Sequence, residues 1–220
     1  MMKKKTLILA DDHVLVAQGI KNILSEDYEI LCCVENGRDL VQKAKELKPD
    51  VIVSDISMPM LNGIEAMSKL REYGVESKVV LLTMHPEVKY AIRALDAGAS
   101  GYVLKHSATD ELLTAIKTAL SGRTFITSLL AADVMEAYKK GASSDNMDPL
   151  AQLSPRQLEV LQLLSEGKTA KEVARIMNIS SRTVEFHKYK MIEILKLKNG
   201  RELLKFALDN GLGDALPRVD

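Results

Sequence analysis

The chain has 220 residues, 46% of them hydrophobic and 27% charged, which excludes a disordered polypeptide and fits one large or two ordinary domains. Lys+Arg and Asp+Glu are both 30, so a histone-like polycation is excluded as well. Residues 1–150 hold 18 basic and 21 acidic side chains and residues 151–220 hold 12 and 9, so an acidic first part and a basic second part point to two modules with different partners.

The opening Met1-Met2-Lys3-Lys4-Lys5 leads into Thr6–Ala10, an apolar run too short for a signal peptide. No stretch is long enough to span a bilayer, so a cytoplasmic protein without membrane association is expected. Thr6–Ala10 is the first of five short runs rich in Val, Ile and Leu. The others are Glu29–Val34, Val51–Ser54, Val79–Thr83 and Gly101–Leu104. Such runs read as strands covered on both faces. Helical patterns lie between them: Val14, Ile20, Ile23 and Leu24 on one face, then Leu40, Ala44 and Leu47, then Ile64, Met67 and Leu70. Val88, Ala91, Ile92 and Leu95 follow, and Leu112, Leu113, Ile116 and Leu120 close the series. Gly74, Gly98 and Gly122 sit at helix ends. The alternation implies an α/β fold, a flavodoxin-like doubly wound five-stranded parallel sheet over residues 1–122. Cys32 and Cys33 are adjacent, a poor geometry for a disulfide, and read as small buried apolar residues in a reducing compartment.

Residues 123–149 read as a linker with one helix, about Ser128–Lys140, followed by turn formers from Gly141 to Pro149. Residues 150–214 contain no strand-like run. Ser154-Pro155-Arg156-Gln157 and Thr169-Ala170-Lys171-Glu172 are capping boxes, Ser180 or Ser181 caps a third helix, and a fourth runs from about Gly200 to Asn210. A small all-α four-helix domain is expected.

Chemistry concentrates where strands end. Asp11 and Asp12 follow the first strand and Asp55 follows the third, and strand C-termini in a parallel sheet share one edge. Three converging carboxylates repel unless a cation is present. A hard divalent ion such as Mg²⁺ resolves this and leaves Asp55, on its own strand, as a candidate nucleophile able to form an acyl phosphate. Thr83 ends the fourth strand and Lys105 the fifth, where a hydroxyl and an ammonium can hold phosphoryl oxygens. His13 would line the pocket, while His85 and His106 are expected at the surface near the same edge.

In these motifs residues 6–121 resemble the receiver domain of a two-component response regulator. The matching pieces are Asp11-Asp12, Asp55-Ile-Ser-Met-Pro59 with Gly63, Leu82-Thr83 and Gly101-Tyr102-Val-Leu-Lys105. The resemblance implies that Asp55 accepts a phosphoryl group from a sensor histidine kinase. It implies that the Ser57 backbone carbonyl joins Asp11, Asp12 and Asp55 around Mg²⁺, and that Thr83 and Tyr102 move together on phosphorylation. His106 stands where the family commonly has proline, which puts the usual cis peptide there in doubt.

In the basic module, Val184, Met191 and Leu195 share one face of the third helix, with His187 at its border. Arg182, Glu185, Phe186, Tyr189 and Lys190 occupy the opposite arc, which suits a DNA major groove. Lys171, Lys188, Lys196 and Lys198 would meet phosphates, and Thr183 belongs to the same DNA-facing set. Leu153-Ser-Pro-Arg-Gln-Leu-Glu-Val-Leu161, Gly167-Lys-Thr-Ala-Lys-Glu-Val-Ala174 and Ser181-Arg-Thr-Val-Glu-Phe-His187 resemble the LuxR-type helix-turn-helix domain. With a receiver in front, the chain is similar to NarL/FixJ-type regulators. Glu185 and Tyr189 stand where some members carry lysine, so the family's DNA sequence preference does not carry over.

The implied function is a phosphorylation-controlled DNA-binding transcription regulator, a homodimer when phosphorylated, catalysing only its own phosphorylation and dephosphorylation. The fourth helix, with Leu203, Leu204, Ala207 and Leu208 on one stripe, is either a dimer surface or core. One alternative is a phosphorylation-independent DNA-binding protein with a vestigial pocket. Another is a Mg²⁺-dependent phosphatase of the haloacid dehalogenase type, which would need a second Asp where Ser57 stands.

Overall fold

The computed structural model describes residues 4–143 and 149–212. The strands are β1 (Lys5–Ala10), β2 (Tyr28–Val34), β3 (Val51–Asp55), β4 (Lys78–Thr83), β5 (Gly101–Leu104) and a two-residue β6 (Phe125–Ile126). All pair in parallel in the order β2-β1-β3-β4-β5-β6. The sheet is thus the expected one, extended at the β5 rim.

Strand alternation divides the core. Leu7, Leu9, Val51, Val53, Val80 and Leu82 face α1 (Val14–Leu24) and α5 (Ala108–Leu120). Ile8, Ile52, Leu81 and Tyr102 face the other way, against α2 (Gly37–Leu47), α3 (Gly63–Glu72) and α4 (Val88–Asp96). Gly74 and Gly98 follow helices with φ of +68° and +89°, the left-handed geometry that glycine adopts without a Cβ penalty.

Several expectations are corrected. Val14 is 65% exposed: six positions before Ile20 it lies some 240° round the helix from it, so the two cannot share a face. Leu47, in the last turn of α2, is exposed as well. Cys33 is exposed and Cys32 only half-buried, because β2 is an edge strand; both are free thiols. The linker helix α6 (Ser128–Lys139) belongs to the receiver core, with Leu130 and Val134 buried in the same cluster as α4. Its entry is fixed by Thr127 N–H donating to Tyr102 O at 2.8 Å and by Glu111, which accepts from Thr127 and Ser128.

The second module contains α7 (Pro155–Ser165), α8 (Ala170–Met177), α9 (Ser181–Ile194) and α10 (Gly200–Asp209). Both capping boxes form, and Ser180 caps α9 by accepting from Thr183 N–H. Leu158, Leu161, Val173, Val184, Met191 and Leu203 make its core. Leu203 and Ala207 of α10 are therefore core residues, while Leu204 is 39% exposed. The expected linker over 123–149 falls partly on residues 144–148, and the expected domain edges at 1–3 and 213–214 likewise lie outside the described residues.

Candidate functional site

β1, β3, β4 and β5 deliver Asp11, Asp55, Thr83 and Lys105 to one rim of the sheet. Asp11 and Asp55 are 1% and 2% exposed. Lys105 Nζ lies 2.6 Å from Asp55 Oδ2 and 2.8 Å from Asp11 Oδ2. One ligand atom from each of Asp11, Asp12, His13 and Asp55 falls within 4.8 Å of all the others. His13 Nδ1 stands 3.0 Å from Asp12 Oδ1, so His13 does line the pocket. Ser57 N–H donates to Asp55 Oδ1 at 3.2 Å, closing the turn after β3.

Burial pushes the Asp55 carboxyl up to about 6; the Lys105 charge and hydrogen bond pull it back, and Asp11 adds to the rise. Burial works against the Lys105 charge, but Asp55 and Asp11 outweigh it and hold the ammonium above its ordinary range. Three carboxylates around one ammonium leave an excess of hard, anionic oxygen donors, the set that fits Mg²⁺. An ion there competes with a proton on Asp55. With a carboxyl at about 6, Mg²⁺ affinity is expected to fall about tenfold between pH 7 and pH 5, measured by calorimetric titration. For folding the sign is the reverse: the raised carboxyl favours the metal-free fold at low pH and loses that contribution as pH rises through about 6.

Thr83 is fully buried, and its Oγ1 accepts from His85 N–H at 3.0 Å. Tyr102 is also fully buried, and its hydroxyl donates to His85 O at 2.9 Å; burial pushes the phenol far up. No cis peptide occurs among the described residues, and His106 is exposed.

On α9, Arg182, Glu185, Phe186 and Tyr189 are exposed, Phe186 at 57% and Tyr189 at 66%. Two exposed aromatics beside Arg182 are poor choices for a purely solvated face. Lys188 and Lys190 flank them, each near a carboxylate, Glu185 at 3.7 Å and Glu193 at 2.8 Å. Lys171 is exposed on α8. Thr183 is spent on the cap, its Oγ1 2.8 Å from Ser180 Oγ.

Residues 7–117 match the response regulator receiver domain family, and residues 151–207 match the luxR family of bacterial regulatory proteins. The oxygen regulatory protein NreC of Staphylococcus haemolyticus is 36% identical over 94% of this chain and 99% of its own. NreC of Staphylococcus aureus strain JH9 is 35% identical over 94% of this chain and 98% of its own. Among solved structures, Salmonella enterica serovar Typhimurium RcsB bound to promoter P1flhDC with phosphomimetic BeF3⁻ is 27% identical over 93% of this chain and 98% of that one, with a TM-score of 0.62.

The chain belongs to the response regulators that join a receiver to a LuxR-type DNA-binding domain. In this response regulator the receiver pocket is legible from sequence, because carboxylates, hydroxyl and ammonium each sit at or within two residues of a strand end. His85 is not. Instead of lying on the surface it is half-buried, its Nε2 3.2 Å from Ser57 Oγ and its ring 4.7 Å from Tyr90. Burial lowers its imidazole from the ordinary value. Its one signal in the sequence is its place two residues beyond Thr83.

Proposed function

We propose that this response regulator takes a phosphoryl group on Asp55 from a sensor histidine kinase and thereby changes how its helix-turn-helix engages DNA. The observation that carries this is the buried Asp55 carboxylate held by Lys105 beside two further aspartates. Asp11, Asp12, Asp55 and the Ser57 carbonyl would hold Mg²⁺, which neutralises phosphoryl oxygens when bound. One Asp55 oxygen attacks phosphorus as the donor's bond to phosphorus breaks, leaving an acyl phosphate. Lys105, already between Asp55 and Asp11, can pass to a phosphoryl oxygen, and the Thr83 hydroxyl can exchange its His85 N–H for another. Tyr102, bonded to His85 O, would follow that exchange.

Arg182, Thr183, Glu185, Phe186 and Tyr189 of α9 are the proposed major-groove residues, with Lys171, Lys188 and Lys190 toward phosphates. Thr183 would act there through its backbone and methyl, since its hydroxyl caps the helix. The promoter-bound RcsB structure and the RcsB dimers on DNA support a homodimer on paired half-sites. We place the domain division at 1–122 and 150–214, with α6 an annex of the first. The chain turns over no external substrate in this reading, because Ser57 stands where a phosphatase would need its second acid.

Asp55→Asn is expected to abolish acetyl-phosphate labelling by intact-mass spectrometry and the phosphodonor-dependent gain in promoter affinity. Undiminished labelling would sink the assignment; intact DNA binding by the variant at wild-type phosphorylated affinity would favour the vestigial-pocket reading.

A further inference from the structure

The receiver gathers cations at a place that phosphorylation does not use. Residues 1–150 carry 18 basic and 21 acidic side chains, yet four lysines line one cleft there, Lys5, Lys45, Lys48 and Lys78, against two carboxylates, Asp50 and Glu76. The cleft encloses about 650 Å³, a volume in the range of small-molecule sites. It opens where the strands begin, on the edge of the sheet opposite Asp55. The α2–β3 connection supplies Lys48 and Asp50, and the α3–β4 connection supplies Tyr73 and Glu76. Lys5 and Lys78 stand beside them at the starts of β1 and β4.

Hydrogen bonds hold the walls in place. Asp50 accepts from Lys5 Nζ at 2.6 Å, from Thr6 N–H at 2.8 Å and from the Thr6 hydroxyl at 2.9 Å, and its own N–H donates to Thr6 Oγ1 at 3.0 Å. Lys78 N–H donates to Asp50 O at 3.1 Å, and the Ser77 hydroxyl donates to Pro49 O. The bonds from Lys5 and Thr6 hold the Asp50 carboxyl down at about 2, so it stays ionised and Lys5 answers its charge. Lys45, Lys48 and Lys78 form no ion pair among the described residues. Three ammonium groups are thus set against the one carboxylate of Glu76, an excess of two positive charges. Beside them Tyr73 is 56% exposed, with the Lys45 ammonium 3.7 Å from its ring centroid. Val75 and Leu120 add an apolar wall.

We propose that this cleft binds a nucleoside diphosphate, with its phosphates on Lys48 and Lys78 and its base against Tyr73, Val75 and Leu120. An ammonium group only donates hydrogen bonds, so a cleft rich in them calls for a ligand rich in anionic oxygens. An inorganic anion would use those charges and leave the ring and the apolar wall wet. A neutral ring would cover Tyr73 and leave the ammonium groups unanswered. A nucleoside diphosphate meets both demands, since its base can stack on an aromatic side chain whatever its hydrogen-bonding edge. The ligand gives the receiver a second chemical input. β3 starts at this cleft, directly after Asp50, and ends at Asp55, so the nucleotide and the phosphoryl group occupy opposite ends of one strand.

The test is calorimetric titration of the full-length chain with ADP, GDP, pyrophosphate and adenosine, in metal-free buffer so that no cation carries phosphates to the Asp55 pocket. Wild type is compared with the double variant Lys48→Asn, Lys78→Gln and with Tyr73→Ala. All three side chains are exposed, and Asn accepts the left-handed φ of +46° that Lys48 holds at the end of α2, so the fold is kept. ADP or GDP is expected to bind at one site, about tenfold or more tighter than pyrophosphate or adenosine. The double variant should weaken the nucleotide by about tenfold or more, and Tyr73→Ala should bring it to the level of pyrophosphate. Asp55→Asn should bind as wild type does, because the cleft does not depend on phosphorylation. Failure of both nucleotides to bind overturns the inference. Undiminished binding by the double variant overturns it as well, by placing the nucleotide elsewhere. Pyrophosphate binding as tightly as ADP and GDP overturns the assignment of a nucleotide.

Discussion

Lys105→Ala is expected to slow Asp55 labelling by at least about 100-fold, the scale of removing one fixed charge from a site where charge develops. Its ammonium lies between Asp11 and Asp55, both nearly fully buried, and it is the cation that pairs with Asp55 among the described residues. Removing it strands two carboxylates in a low-dielectric pocket, and the metal-free protein should lose about 3 kcal/mol at pH 7. Asp55 then titrates higher still, since the Lys105 charge is what pulls its carboxyl down. The stability loss should shrink toward pH 5, where Asp55 is protonated in either protein and needs no cation. Urea unfolding at the two pH values checks this, and an equal loss at both would contradict the ion-pair account.

Gly63→Ala is expected to be comparably severe through backbone alone. Gly63 opens α3, behind the Asn62 cap, and its N–H donates to Ile56 O at 2.9 Å. A Cβ there would lie 2.2 Å from the Asp55 carbonyl oxygen, a distance that no side-chain rotation relieves. Either α3 or the end of β3 must shift, at about 2–4 kcal/mol of stability, and labelling should drop because the nucleophile moves with its carbonyl. Gly19→Ala is the matched control. It lies within α1, where an added methyl would meet nothing within 4 Å, so substitution there should leave stability equal or higher by about 0.5–1 kcal/mol. Thermal melts of the two variants separate a local clash from a generic loss of glycine.

The receiver is readable because each of its five main strands is a short apolar run, and its site because the reacting groups fall at the ends of those runs. What is not readable shares one cause: a sequence states polarity but not what answers it. Glu159, Gln162 and Glu166 form a stripe that looks the same whether it faces water or the amides of a loop a hundred residues away. The His85 imidazole is likewise placed by Ser57 and Tyr90, contacts made across the rim. Val14 and Cys33 fail in the other direction, as apolar residues left in solvent at a helix start and on a sheet edge. The helix at 128–139 is legible as a helix, but its Leu130 and Val134 give no hint of which module they enter.

The annexed segment Phe125–Ile126 has a consequence for self-association. A parallel sheet has two open margins where a foreign strand could add. Here one margin is occupied by the chain itself, and the short β6 leaves little backbone to extend. The other is β2, where outward Glu29 would bring charge into any intruding strand. Copies of this protein can therefore meet through their helices without the hazard of zipping into a continuous sheet.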